Sequence, residues 1–100
     1  MVYTYLFNEE AQIEYETSLE WYAERSLKAA TSFVVEVDKT LILICTYPNR
    51  WKNSYKNFHE LQLKKYPFTI IYTVEEEKNL VIVSSVFHHK RNPRKRYKKG

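Results

Sequence analysis

The residues best suited to chemistry are concentrated in the last thirteen positions of the chain, residues 88–100. This segment contains seven Lys or Arg, two His and one Tyr, and no acidic residue. It directly follows residues 80–87, an apolar run that is typical of a buried strand. A cationic segment with titratable rings, held at the end of a strand, is suited to binding either a polyanion or an acidic protein.

Side chains of these types can also support proton transfer. Histidine titrates near neutral pH, so His88 or His89 can act as a general base or acid. Cleavage of RNA without a metal needs a base for the 2′-OH, cations for the charged phosphorane and an acid for the leaving 5′-oxygen, and Lys, Arg, His and Tyr can fill these roles. Strand alternation predicts, as the alternative, that one of the two histidines points inward as a structural residue.

The net charge of +4 is distributed unevenly along the chain. Residues 1–49 contain three basic and eight acidic residues, a net charge of −5, whereas residues 50–100 contain thirteen basic and four acidic residues, a net charge of +9. Clustered positive charge attracts anionic partners and speeds their association, although a solvated, solubilising face is the alternative explanation. The candidate nucleic-acid-binding residues are Lys56, His59, Lys64, Lys65, Lys90, Arg94 and Arg96.

Cysteine usage and the start of the chain predict a cytoplasmic protein. Cys45 is the single cysteine; no intramolecular disulfide is possible, which fits a reducing compartment, and its apolar neighbours predict a buried, inert thiol. The stretch after Met1 lacks the basic region and the cleavage site of a secretory signal. No apolar run approaches the roughly 20 residues of a membrane span, so we expect no membrane partner.

The sequence predicts no metal site and no cofactor. The three His and the single Cys lack the spacing of zinc ligands. The acidic run at residues 75–77 lies in a predicted turn. The single glycine is Gly100, so a glycine-rich phosphate-binding loop is not expected.

The periodicity around these residues predicts one α+β domain spanning residues 1–100. Asn8 and Ser26 are suited to cap two successive helices, the first over residues 9–24 and the second ending before Pro48. The polar, basic and aromatic residues 49–57 are expected to form a loop. Strands are predicted over residues 2–7, 58–64, 67–74 and 80–87.

The predicted order of elements is therefore β-α-α-β-β-β, with an N-terminal strand. A short connection between two helices implies a helical hairpin, which we expect to pack on one face of an antiparallel sheet. The other face is expected to be open. Together with the basic C-terminal tail, residues 88–100, it would form the working surface.

Three stretches resemble the RelE/ParE superfamily of bacterial toxins, also described as plasmid stabilisation proteins. Residues 19–26, with Ala29, Ala30 and Phe33, are similar to its helical hairpin. Residues 58–72 resemble its strand pair "Arg-x-x-x-x-(Lys/Arg)-x-Phe-Pro-Tyr-x-Ile-x-Tyr", and residues 87–93 resemble its terminal "His-x-Arg-x-Pro". The stretches occur in the family's order and span nearly the whole chain.

The resemblance implies the fold predicted above and a place in a type II toxin–antitoxin system. It implies a labile antitoxin whose acidic, amphipathic segment wraps the toxin. Two activities divide the superfamily: RelE-like members cut mRNA in the ribosomal A site, and ParE-like members poison DNA gyrase. The expected targets are therefore the ribosome with its mRNA, or DNA gyrase.

The resemblance also implies roles for individual residues. Arg91 aligns with a phosphate-stabilising Arg of the RelE-like nucleases, and Tyr97 aligns with their C-terminal Tyr. With the two histidines, the candidate catalytic set is His88, His89, Arg91 and Tyr97.

Two positions depart from the nuclease pattern. Thr69 stands where RelE-like nucleases have an Arg on the third strand, and His59 stands where the superfamily has an Arg at the start of the second. The aromatic-Pro-aromatic form of residues 66–68 is more typical of the ParE-like branch. A metal-independent endoribonuclease and a gyrase poison both remain open, and a non-catalytic basic module that binds nucleic acid or a protein is the competing class.

Overall fold

A computed structural model describes residues 3–91, which form two helices packed on one face of a five-stranded sheet. The strand order is β1-β5-β4-β3-β2, and a single turn of 3-10 helix, Glu76–Lys78, joins the last two strands of the chain. The predicted α+β arrangement with a helical hairpin is confirmed. The elements are β1 (Thr4–Phe7), α1 (Glu9–Arg25), α2 (Leu27–Thr46), β2 (Lys52–Tyr55), β3 (Phe58–Gln62), β4 (Phe68–Glu75) and β5 (Leu80–His88).

The sheet differs from the prediction in two respects. The segment predicted as a loop, residues 49–57, contains β2, which pairs antiparallel with β3 through a turn in which Lys56 adopts a positive φ of 49°. The sheet is also mixed, because β1 pairs parallel with β5 while the other pairs are antiparallel. A parallel pair requires a long crossover, and here the chain makes this connection through the helices and the three intervening strands.

The helical hairpin is tight because one residue serves both helices. The side chain of Asn8 accepts a hydrogen bond from the Ala11 N–H at 2.9 Å and caps α1. Ser26 ends α1, and its Oγ accepts from the Ala29 N–H at 3.1 Å to cap α2. Side chains of this kind satisfy the unpaired N–H groups of a helix's first turn. Neither helix in residues 3–91 is long and apolar enough to cross a membrane.

The core lies between the helical hairpin and the sheet. Phe33 and Tyr72 are its largest fully buried side chains. The Tyr72 hydroxyl donates a hydrogen bond to the Pro48 carbonyl at 2.7 Å, which ties β4 to the end of the second helix. Other buried members are Val37, Leu41, Ile44, Cys45, Ile70, Val81, Val83 and Val86.

The opposite face of the sheet has no helix among residues 3–91, as predicted, but its centre is not exposed. Thr69 and Phe87 are paired across β4 and β5, and each is 1% exposed. Ile71 is fully buried. The prediction of an open face is therefore wrong for these three side chains.

Candidate functional site

The candidate site lies where β5 ends and the chain turns, at residues 88–91. The N–H of His89 donates to the Pro67 carbonyl at 2.9 Å, which fixes the end of β5 beside the start of β4. The N–H of Arg91 then donates to the His88 carbonyl at 3.0 Å and closes a turn. Consecutive side chains of a strand point to opposite faces, so this geometry separates the two histidines.

His88 lies on the helix side of the sheet. Its ring packs edge-on against Phe68, with the centroids 4.8 Å apart. Burial, and to a lesser degree the charges of His89 and Lys90, lower the pKa of His88 below its usual value. Its Nδ1 accepts a hydrogen bond from the Lys90 N–H at 3.0 Å, so the proton of the neutral ring is on Nε2. This histidine is the inward-pointing one that strand alternation predicts.

His89 lies on the other side of the sheet and is exposed. Its Nε2 shares a hydrogen bond with the Thr69 Oγ1 at 2.9 Å. Thr69, the position at which RelE-like nucleases are expected to have an Arg, therefore engages a histidine instead.

Arg91 makes an ion pair with Glu14 of α1. The carboxylate of Glu14 also accepts hydrogen bonds from the Ser85 hydroxyl and from the Val86 N–H, both at 2.8 Å. Glu14 thus joins α1 to two successive residues of β5 and to the turn that follows. The Arg91 guanidinium therefore lies at the edge of β5, between Glu14 of α1 and the ring of Phe87, whose centroid is 5.2 Å from its Cζ.

The position of Glu14 follows from the extent of β1. The last pair between β1 and β5 is Phe7 with Val83, and the Asn8 N–H donates to the Val83 carbonyl at 3.0 Å as the chain enters α1. Beyond Val83, this edge of β5 has no neighbouring strand within residues 3–91. The N–H of Val86 would be unpaired there, and a buried unpaired N–H is costly. The carboxylate from α1 satisfies it.

Sequence reasoning missed Glu14. It is not among the candidate site residues, because an acid in an amphipathic helix is usually a solvated surface residue. In the structure Ile13 is 56% exposed, whereas the Glu14 side chain is 16% exposed. A usable signal was the consecutive pair Ser84 and Ser85 in an otherwise apolar strand, because buried hydroxyls need a partner.

The candidate nucleic-acid-binding residues that lie within residues 3–91 belong to different elements. His59 faces the helix side, where its ring stacks on Tyr72 at 5.3 Å between centroids and its Nδ1 lies 3.0 Å from the Trp51 carbonyl oxygen. These contacts indicate a packing role for His59. Lys56 is exposed in the turn between β2 and β3, with its Nζ 5.4 Å from the centroid of the Tyr55 ring.

The remaining candidate residues are either exposed or lie outside the described part of the chain. Lys64 and Lys65 are exposed between β3 and β4, and Lys90 is exposed beside His88. Arg94, Arg96 and Tyr97 lie outside the described residues, so their assignments remain predictions. The geometry places His88 on one side of the sheet and His89 on the other, with Arg91 at the edge of β5.

A cavity of about 590 Å³ opens between α1 and the ends of β4 and β5. Three of its eight wall residues are Trp, Tyr or Phe, and His88 and Lys90 supply titratable groups. The other wall residues are Thr17, Ser18, Trp21, Tyr22, Pro67 and Phe68.

No three His, Cys, Asp or Glu side chains within residues 3–91 are grouped so that they could hold a metal ion.

Known structures with the same fold are bacterial toxins. The isolated E. coli RelE toxin is 19% identical, with a TM-score of 0.62 over 90% of this chain and 87% of that chain. A chain of the intact E. coli RelBE toxin–antitoxin complex matches at 20% identity and a TM-score of 0.62, covering 89% of this chain and 99% of that one. A chain of the chromosomal ParDE system from P. aeruginosa matches at 12% identity and a TM-score of 0.73, covering 87% and 96%. These likenesses show the fold of the RelE/ParE superfamily.

Within this superfamily, the amino-acid sequence identifies a particular family. Residues 5–93 match the model of the ParE toxin of the type II toxin–antitoxin system parDE, and the chain belongs to that family. No curated protein matches the chain significantly.

Proposed function

We propose that this toxin arrests growth by binding and poisoning DNA gyrase, and that it does not cut RNA. The observation that carries the proposal is the divergence of the candidate catalytic groups at the end of β5. His88 lies on the helix side, whereas His89 lies on the opposite side with Thr69, and Arg91 lies at the edge of β5, paired with Glu14.

The chemistry of RNA cleavage explains why this divergence matters. A base, an acid and a cation must surround one phosphodiester within hydrogen-bond distance. The guanidinium of Arg91 is committed to Glu14, so part of its charge is neutralised. Groups on opposite sides of a strand do not reach one phosphate together, and Thr69 supplies no charge at the position where the superfamily's nucleases have an Arg.

We further propose an antitoxin partner with an acidic, amphipathic segment and a cytoplasmic site of action. Among the matching structures, two complexes of E. coli RelE contain RelB or a RelB peptide. The charge of +9 on residues 50–100 favours an acidic partner. Gyrase and mRNA are both cytoplasmic targets, which is the basis for the proposed location.

The decisive experiment compares the two mechanisms in the same cells. After induction of the protein alone, primer extension on translated mRNA reports A-site cuts, and a supercoiling assay with purified gyrase reports loss of supercoiling or DNA breaks. We expect growth arrest with lost supercoiling and no cuts. Cuts that disappear in the Arg91→Ala or His89→Ala variant would establish the nuclease instead. Normal growth with soluble, folded protein would support the non-catalytic binding module.

A further inference from the structure

The cavity of about 590 Å³ between α1 and the ends of β4 and β5, which we call the α1–β5 cavity, has aromatic groups on two of its sides. Trp21 and Tyr22 line it from α1, and Phe68 lines it from the start of β4. Small-molecule sites have volumes of about 300–1,000 Å³ and are largely preformed. The three rings offer apolar surface of the kind against which a planar ligand packs.

Contacts behind the cavity hold two of these rings in place. The Arg25 guanidinium lies over the Trp21 ring, with its Cζ 3.7 Å from the ring centroid, and its Nη1 donates to the Trp21 carbonyl at 2.8 Å. Tyr22 packs against Phe33 and Tyr66, with the centroids 5.1 Å apart in each pair. Side chains that are already ordered lose little conformational entropy when a ligand binds.

The polar groups of the α1–β5 cavity include donors without partners. The Nδ1 of His88 is occupied by the Lys90 N–H, so the neutral ring presents its Nε2–H, which has no acceptor within residues 3–91. In the same part of the chain the Lys90 ammonium has no ion pair, and the hydroxyls of Thr17 and Ser18 have no hydrogen bond. A ligand that supplies oxygen acceptors would satisfy these groups.

The charge of the cavity favours a ligand with one negative charge. Its eight wall residues within residues 3–91 include one permanent cation, Lys90, and no Asp or Glu. Glu10 and Glu14 border an adjoining cavity, and the Glu14 carboxylate is already bound by Arg91 and Ser85. A carboxylate balances a single ammonium, whereas a phosphate monoester has a charge of about −1.5 to −2 at neutral pH and would leave part of it unpaired.

We propose that the α1–β5 cavity binds a small aromatic carboxylic acid. The ring of this ligand packs against Trp21 and Phe68, and its carboxylate accepts from the Lys90 ammonium and from the Nε2–H of His88. The ligand thereby bridges α1 to the ends of β4 and β5. Such a site does not depend on the proposed action on gyrase, because these groups serve a small ligand whatever the target of the toxin is.

The two tryptophans provide a reporter and a control in one NMR spectrum of the isotope-labelled full chain. Trp21 lines the cavity, whereas Trp51 does not, and its indole N–H donates to the Leu43 carbonyl at 3.3 Å. The variants Trp21→Phe and Trp51→Phe assign the two indole N–H signals. The probes are naphthoate, the uncharged naphthamide of similar shape, and adenosine monophosphate, each titrated at slightly alkaline pH, where His88 is neutral.

We expect naphthoate to shift the signal of Trp21 and not that of Trp51, with a Kd below about 1 mM. Naphthoate should bind at least about tenfold more tightly than naphthamide, because hydrogen bonds to charged groups are stronger than those between neutral groups.

Three variants test the groups that hold the carboxylate. His88→Phe keeps a ring against Phe68 but removes the Nε2–H, and it should weaken naphthoate about tenfold and naphthamide by less. Lys90→Ala should weaken only naphthoate, by about two- to fivefold, since the ammonium is exposed. Lys52→Ala removes an exposed lysine of β2, outside the cavity, and should bind both probes as the parent protein does. Circular dichroism checks that each variant is folded.

Four results would overturn the proposal. Equal affinity for naphthamide would show an apolar cavity that does not select an anion, and equal shifts of both indole signals would show non-specific binding. Tighter binding of adenosine monophosphate than of naphthoate would assign the cavity to a nucleotide instead of a carboxylic acid. An unchanged Trp21 signal at about 10 mM naphthoate, tenfold above the expected upper limit of the Kd, would exclude the site in the parent protein whatever the variants do.

Discussion

Replacing Glu14 by Ala is expected to destabilise the protein by about 3 kcal/mol. The side chain of Val86 is 1% exposed, and its N–H would lose its acceptor; leaving such a group unpaired costs about 1–3 kcal/mol. The Ser85 hydroxyl loses a bond to a charged acceptor, which adds about 1 kcal/mol. The Arg91 side chain is 35% exposed, so its ion pair contributes at most about 1 kcal/mol.

Urea unfolding measures this cost. A slope of about 1–3 kcal/mol per molar urea converts a loss of about 3 kcal/mol into a midpoint lowered by about 1–3 M. Because domains of this size have a total stability of about 5–15 kcal/mol, the variant should still fold in the absence of urea.

Two further variants decide whether the reasoning is correct. Arg91→Ala leaves both bonds from β5 to Glu14 in place and should cost about 1 kcal/mol or less. Glu16→Ala, on the same helix, removes an exposed carboxylate bonded only to Gln12 among the contacts of residues 3–91, and should cost at most about 0.5 kcal/mol. If Arg91→Ala is as damaging as Glu14→Ala, the ion pair rather than the edge of β5 is what Glu14 stabilises. If Glu14→Ala is as mild as Glu16→Ala, the Glu14 carboxylate does not stabilise the unpaired edge of β5.

Three other outcomes are expected. Burial lowers the pKa of His88 below 6.5, so the unfolded chain binds more protons than the folded protein, and the stability that the neutral His88 contributes is fully present above pH 6.5 and is lost as the pH falls through 6.5 and then through the lower folded pKa. The urea midpoint should therefore fall less on acidification in His88→Gln than in the parent protein. An equal fall of the midpoint in the two proteins would contradict this. Tyr72→Phe should cost about 1–2 kcal/mol by leaving the Pro48 carbonyl without its donor, and a loss below about 0.5 kcal/mol would show that another donor replaces it. Burial raises the pKa of the Cys45 thiol, so a disulfide reagent should label it only in urea, and immediate labelling of the folded protein would disprove its burial.

The helical part of the fold was predictable because its signals are local. Asn8 and Ser26 cap the helices by bonds to residues three positions ahead, and such bonds depend on neighbouring residues alone. The strand β2 gave no such signal. Its four residues are mostly exposed and polar, so no apolar alternation marks it, and it is stabilised by pairing with β3 rather than by burial.

The candidate site was predictable only in part. The position of His88 and His89 on opposite sides follows from alternation along a strand. The partner of Arg91 does not, because Glu14 lies 77 positions earlier in the chain and its contact depends on where β1 ends. Likewise, the contacts of His59, a candidate nucleic-acid-binding residue, were not predictable, because they depend on its register opposite Tyr72 on the packed side of the sheet.

The parallel pairing of β1 with β5 has a consequence for synthesis of the toxin. Thr4 pairs with Leu80 and Phe7 with Val83, so β1 leaves the ribosome long before the strand with which it pairs. Closing so long a loop is entropically costly, and contacts of high sequence separation form slowly. A nascent chain that stops before Leu80 lacks the strand that lies between β1 and β4. We therefore expect translation that is interrupted before Leu80 to release an unfolded and harmless product, so that toxicity arises only after β5 has been made.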